Sequence, residues 1–277
     1  MKFTMAAADR FITSHRGEVN PRQRLAFHFM APTGWINDPN GLVYYDGWYH
    51  LFYQYNPYDF HPDDMHWGHA RTRDFISFED LPVALAPEIE NEETGCFSGT
   101  ALVNPQDPKE LILIYTRHFE KQLGDRLMRK ERQRIARSRD GIHFTRDSKD
   151  CLTAEMLPAN ASHEDFRDPD LFYENGWFYV FVGSQDLPSQ TGQILVFRSR
   201  DLTHFSYFFK IGPLPLFGTM AECPDFFRLD GKDVLLFSST GLKKQGRRFN
   251  NVNSSLAAIG KMDLESGSFA IEGFDEI

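Results

Sequence analysis

Cysteine is scarce in this sequence: Cys96, Cys151 and Cys223 stand alone at irregular spacing. That excludes both a disulfide framework and a paired-cysteine zinc pattern. No apolar run is long enough to span a bilayer, and the first ten residues lack the apolar core of a signal peptide. A cytoplasmic protein that makes no use of a membrane is therefore expected. Positive charge is in deficit, 30 Lys and Arg against 39 Asp and Glu, which excludes a nucleic-acid footprint spread over the whole surface. The one basic stretch, residues 126–139, reads as a solvated loop running into a strand edge rather than as an anion or nucleic-acid site. Helix signals are sparse too. Only the stretch from Met5 to His15 suggests a short helix, within an N-terminal segment of residues 1–35.

What is abundant is strand. Of the 277 residues 41% are hydrophobic and 26 are Phe, enough for a large core of packed sheets. Short β-branched or aromatic runs recur at 49–55, 110–116, 177–182 and 233–238. Three of them follow tight turn signals, Asp46-Gly47, Asn175-Gly176 and Asp230-Gly231. A second marker repeats out of phase with these strands. It reads Arg71-Thr72-Arg73-Asp74, Arg137-Ser138-Arg139-Asp140 and Arg198-Ser199-Arg200-Asp201, with a weaker copy ending at Asp263. A spacing of 61 to 66 residues between these aspartates signals a solenoid or propeller. Four strands per unit of that length make one propeller blade. The fold expected is all-β, of β-propeller type, with four blades at 36–92, 95–150, 166–213 and 221–277.

Three acids stand where these units begin. Asp38, in Trp35-Ile36-Asn37-Asp38-Pro39-Asn40-Gly41, and Asp168, in Phe166-Arg167-Asp168-Pro169-Asp170, each precede a proline. Glu222 opens Glu222-Cys223-Pro224-Asp225. The second unit has the small, polar Cys96-Phe97-Ser98-Gly99 in that slot. Asp-Pro-Asn-Gly is also good turn chemistry, and one such acid alone would be read as a hairpin initiator. Three in equivalent slots of a repeated unit point instead to convergence around an axis. Convergent carboxylates are the equipment of glycoside hydrolysis, and their mutual repulsion raises at least one pKa, as a general acid requires. His50, His61, His66 and His69 have no ligand-spaced partners and read as strand and loop residues, so neither a metal nor a cofactor is expected.

These motifs, together with Tyr53-Gln54-Tyr55-Asn56-Pro57 and His66-Trp67-Gly68-His69, resemble glycoside hydrolase family 32 in order and spacing over residues 22–277. The resemblance implies that Asp38 is the nucleophile at the anomeric carbon of a β-fructofuranosyl unit. It implies Glu222 as acid and base, Asp168 as transition-state stabiliser, and Arg167 as the group that orients the carboxylates. Trp35, Asn37, Gln54, Trp67, Phe97 and Ser98 match positions lining the sugar pocket. Cys223 matches a cysteine taken to tune the acid, though a small buried residue is an equal reading. Met220-Ala221 and Ser238-Ser239-Thr240-Gly241 depart from the family pattern and bear on leaving-group contacts. The resemblance also implies a fifth blade and a C-terminal β-sandwich beyond residue 277. The expected reaction is retaining hydrolysis of a small sugar, sucrose 6-phosphate or sucrose. Fructosyl transfer, fructan hydrolysis, or an inactive remnant or carbohydrate-binding module are the competing readings.

Overall fold

The computed structural model describes residues 3–277; Met1 and Lys2, part of the N-terminal segment, lie outside the described residues. A helix, α1 (Met5–His15), starts where the Thr4 hydroxyl accepts the Ala7 amide, a normal N-cap. Sixteen strands follow in four antiparallel meanders. The first is β1 (Trp35–Tyr45), β2 (Trp48–Asn56), β3 (His66–Thr72) and β4 (Phe78–Leu85). The second is β5 (Gly95–Val103), β6 (Leu111–Leu123), β7 (Arg126–Ser138) and β8 (Thr145–Arg146). The third is β9 (Ala161–Glu174), β10 (Trp177–Asp186), β11 (Thr191–Ser199) and β12 (Ser206–Ile211). The fourth is β13 (Met220–Leu229), β14 (Lys232–Thr240), β15 (Asn253–Asp263) and β16 (Ser268–Glu276).

These elements fall into two compact units, Met1–Arg129 with Arg134–Lys149, and Lys130–Gln133 with Asp150–Ile277. In the first unit, α1 lays Ala8 and Ile12 against Tyr53, Tyr55 and Val83, and Asp9 caps the Val83 amide at 2.9 Å. Phe52, Trp67, Leu113, Tyr115 and Phe144 form its second cluster. In the second unit, one continuous core joins Phe181, Val196, Phe217, Phe226, Leu235, Phe237 and Phe249.

Both sequence markers have physical explanations. At Asp46-Gly47, Asn175-Gly176 and Asp230-Gly231 both residues have positive φ, as a two-residue hairpin turn of primed type demands. The marker aspartates close the turn after the third strand of each meander. Asp74, Asp140, Asp201 and Asp263 each accept the amides two and three residues on, at 2.8–3.0 Å. The arginines before two of them clamp a tryptophan: Arg71 and Arg73 lie 4.2 and 4.1 Å over Trp48, and Arg198 and Arg200 lie 4.7 and 4.0 Å over Trp177.

The basic stretch at 126–139 corrects the sequence reading. It is not a solvated loop but the strand β7, buried or half-buried from Glu131 to Ser138. Its arginines are spent on acids: Arg132 on Asp150, Arg134 on Glu88, and Arg137 on Glu110 and Asp147. Strand pairing and these ion pairs, rather than charge density, govern that segment.

Candidate active site

In every meander the first strand carries an irregularity at the slot singled out in the sequence. Asn37 and Asp38 face Gln54 alone, because Ile36 pairs with Tyr55 and Pro39 with Tyr53. Asp168 and Pro169 share one partner position between Gly183 and Phe181, and Cys223 and Pro224 do the same between Ser238 and Leu236. In β5 the extra residue is Ser98, between Phe97 and Gly99. Bulges re-aim side chains and bend the strand, and proline, which cannot donate to the ladder, is at home there.

The register also corrects the expectation that the three acids occupy one slot. Aligned on their prolines, Asp38 and Asp168 are equivalent to Cys223. Glu222 lies one residue earlier, level with Arg167; both are the last paired residues before their bulges, the position Ile36 holds in β1. Asp168 and Cys223 have positive φ, 62° and 48°, a region disfavoured for residues other than glycine and costing about 1–3 kcal/mol each.

In the first unit, Asp38 is half-buried and accepts the Ser98 hydroxyl at 2.6 Å. Ser98 in turn accepts the Gln54 amide at 2.8 Å. Both polar partners are buried. Phe97 stacks on His118, with centroids 4.0 Å apart and planes 7° from parallel. Trp67 is fully buried, and its Nε1 donates to the Phe97 carbonyl at 3.0 Å. Its ring therefore supports the Phe97-Ser98 backbone. Trp35 and Asn37 flank Asp38 on β1, half-buried and exposed respectively. Beside Phe97 opens a cavity of about 410 Å³ with Asp63, Asp64, Glu92, Glu93 and Glu120 in its wall.

In the second unit the acids are held by charge and by backbone. Arg167 donates to Glu222 Oε1 at 2.8 Å and to Asp165 Oδ1 at 3.0 Å, with Glu131 Oε1 3.5 Å away. Burial alone would lower the Arg167 pKa, but Glu131, Asp168 and Glu222 outweigh it and hold the guanidinium charge more firmly than usual. The other oxygen of Glu222 accepts the Thr240 hydroxyl at 3.2 Å. Asp168, buried, accepts the Cys223 amide at 3.1 Å, with the Cys223 thiol 3.7 Å from the same oxygen. Gly183 makes this close approach possible, because a Cβ there would meet the Ala221 carbonyl at 2.3 Å.

Sequence reasoning missed three residues. Glu131 accepts the Phe166 amide at 2.7 Å and was hidden inside the basic stretch. Asp165 precedes the motif it serves. Thr240 lay within a noted departure, Ser238-Ser239-Thr240-Gly241, but only the register of β14 against β13 brings it to Glu222.

Repeated four-stranded meanders whose first strands present acids at bulges define a glycoside hydrolase of β-propeller type. Residues 28–277 match the family described as glycosyl hydrolases family 32 N-terminal domain, and the chain belongs to that family. It is 38% identical over 250 residues to the sucrose-6-phosphate hydrolase of Escherichia coli, covering 88% of this chain and 50% of that protein. It is 40% identical over 245 residues to the sucrose-6-phosphate hydrolase of Zymomonas mobilis, covering 85% and 46%. Among solved structures, the family 32 β-fructofuranosidase of Bombyx mori superposes with a TM-score of 0.88 at 36% identity, over 98% of this chain and 56% of that one. A variant of the silkworm protein, solved in complex with sucrose, superposes at 0.86, with the same identity and coverage. The chain thus spans about half the length of the curated relatives it matches. The all-β propeller class, with four blades in this chain, holds as expected.

Proposed function

We propose that this chain carries the catalytic residues of a retaining β-fructofuranosidase acting on sucrose 6-phosphate or sucrose. The observation that supports the reading best is that each of the three motif acids stands at a strand bulge with its carboxylate already gripped. Asp38 is gripped by Ser98, Asp168 by the Cys223 amide, and Glu222 by Arg167 and Thr240.

In this mechanism an Asp38 oxygen attacks the anomeric carbon of the fructosyl unit. The bond to the leaving oxygen breaks as Glu222 passes its proton to that oxygen. Water then attacks the fructosyl-Asp38 ester, giving its proton to Glu222, and Asp38 departs as a carboxylate. Such chemistry requires nucleophile and acid carboxyls about 5–5.5 Å apart. Asp168 accepts hydrogen bonds from fructosyl hydroxyls, which tighten as positive charge develops on the ring. Arg167 orients Glu222 by a charge-assisted hydrogen bond, and Phe97 offers an apolar face to a sugar ring. The names of the bacterial relatives favour the phosphorylated disaccharide.

The test is to incubate the whole protein with sucrose 6-phosphate and with sucrose. Released fructose is measured, and the anomer formed first is read by NMR. β-Fructofuranose appearing first from either substrate supports the reading. First appearance of the α-anomer overturns the retaining mechanism, and oligosaccharide products in place of free fructose would make the enzyme a transferase.

A further inference from the structure

The loop joining β14 to β15 is a second basic segment, apart from the stretch at 126–139. Residues 241–252 read Gly-Leu-Lys-Lys-Gln-Gly-Arg-Arg-Phe-Asn-Asn-Val, four cations and no acid in a chain of net charge −9. A charge run of this kind is ordinarily a solvated turn. Three features separate this one from that reading.

The first is its place. Met220, Thr240 and Asn253 form one rung across β13, β14 and β15, and Glu222, Ser238 and Ser255 form the rung two residues away. The loop therefore leaves β14 about 7 Å along the strand from the Glu222 rung. It does so directly after Thr240, whose hydroxyl touches Glu222.

The second is its anchoring. The Gly241 amide donates to the Val252 carbonyl at 3.0 Å, and Gln245 and Arg248 exchange backbone hydrogen bonds at 3.0 and 2.9 Å. Leu242 and Phe249 pack into the core on either side, so the cations between them are carried on a fixed arch. The third is a division of labour among the cations. Arg248 is tied to Glu276, whereas Lys243, Lys244 and Arg247 are exposed and make no ion pair among the described residues.

Glu222, as proton donor, meets the oxygen that belongs to the leaving sugar. A phosphoryl group on that sugar therefore lies on the Glu222 side of the scissile bond. We propose that Lys243, Lys244 and Arg247 form a recognition site for a phosphoryl group borne by the leaving sugar. Ammonium and guanidinium groups are the side chains that take phosphate oxygens. This assignment rests on the fructosidase reading, whose own test is fructose release from unphosphorylated sucrose.

The experiment compares kcat/KM for sucrose 6-phosphate with that for sucrose in the whole protein. The variants are K243Q/K244Q, R247Q and the charge-matched K232Q/K261Q at the opposite end of β14 and β15, with thermal unfolding run alongside. The expected result is a fall in the ratio of about tenfold or more in K243Q/K244Q, equivalent to one charge-assisted hydrogen bond, a further fall with R247Q, and no change in K232Q/K261Q. A ratio unchanged in the loop variants, or lowered equally by the matched control, overturns the proposal while leaving fructosyl hydrolysis intact. Should wild type hydrolyse neither substrate, the fructosidase reading fails, and calorimetry with glucose 6-phosphate still decides the loop. Binding tighter than that of glucose and lost in K243Q/K244Q supports the site; equal binding of the two sugars overturns it.

Discussion

The two units hold their acids by different contacts. In the first, Asp38 rests on a hydroxyl that itself rests on an amide, Ser98 and Gln54. In the second, Glu222 and Asp168 are held by the Arg167 guanidinium and by a backbone amide at a left-handed residue. The difference fits the work proposed for each. A nucleophile must surrender its hydrogen bonds as it forms a covalent bond, and neutral donors release it at lower cost than a charged one. An acid and a stabiliser must keep their positions through the whole cycle, and charge or backbone fixes them. A second contrast lies at the surface: the cavity beside Phe97 is walled by carboxylates, whereas the loop after Thr240 is walled by cations.

The comparison breaks most visibly at Asp38. Asp38→Asn keeps size and the Ser98 contact but removes the nucleophile. Fructose release should fall by at least about 10⁴-fold, as when a covalent nucleophile is deleted, with the unfolding midpoint nearly unchanged. Residual turnover within tenfold of wild type would remove Asp38 from the nucleophile's role.

Glu222→Gln should cost about 10²–10⁴ in kcat, the usual worth of a general acid. The loss should shrink on an aryl fructoside whose leaving group needs no proton. An equal loss on both substrates would mean that Glu222 is not the donor.

Much of this was legible in the sequence, and the exceptions have a common physical cause. The hairpin turns were readable because Asp-Gly and Asn-Gly supply two positive φ angles at little cost, and the repeated Asp74, Asp140, Asp201 and Asp263 because one turn geometry recurs. The acids were readable because each lies within two residues of a proline at a bulge. What escaped depends on contacts between strands. A residue's partner across the ladder is set by register, and one extra residue in a strand shifts it. Thus Glu222 read as equivalent to Asp38 when it is the last paired residue before its bulge, and Thr240 was unremarkable until β14 was laid beside β13. That Trp67 is fully buried was not readable either, because burial leaves no mark on composition. Glu131 was masked by the arginines around it, whose partners lie far away in sequence.

The charged network of the second unit should be the costlier one to interrupt. Arg167→Met removes the cation 3.5 Å from Glu131, which is 1% exposed, and 2.8 Å from Glu222. Breaking a buried pair by removing one partner costs about 3–5 kcal/mol. Ser98→Ala, the corresponding cut in the first unit, removes a hydroxyl's hydrogen bond to the half-buried Asp38 carboxylate, worth about 1.5–3 kcal/mol. Urea unfolding of the two variants checks the order; a Ser98→Ala loss as large as that of Arg167→Met would reverse the comparison.

The smallest effect concerns pH and belongs to the first unit. His50 Nδ1 and His69 Nε2 lie 3.0 Å apart between β2 and β3, and His69 Nδ1 is buried with no hydrogen-bond partner. Burial, with Arg71 nearby, lowers the pKa of His50 against smaller opposing effects of the Tyr45 backbone and Asp46. Burial, then His50 and Arg71, pushes His69 well below its ordinary value. Both rings are thus neutral when folded, while in the unfolded chain they take up protons near pH 6.5. The unfolded state binds more protons below that pH, so their contribution is fully present above 6.5 and is lost as pH falls towards the folded values. The unfolding midpoint should accordingly drop between pH 7 and 5, a window largely above the carboxylate range. His69→Gln retains a polar group beside His50 but cannot titrate, and should flatten that slope. An identical slope in the variant would assign the acid sensitivity to other groups and leave the histidine pair a packing feature alone.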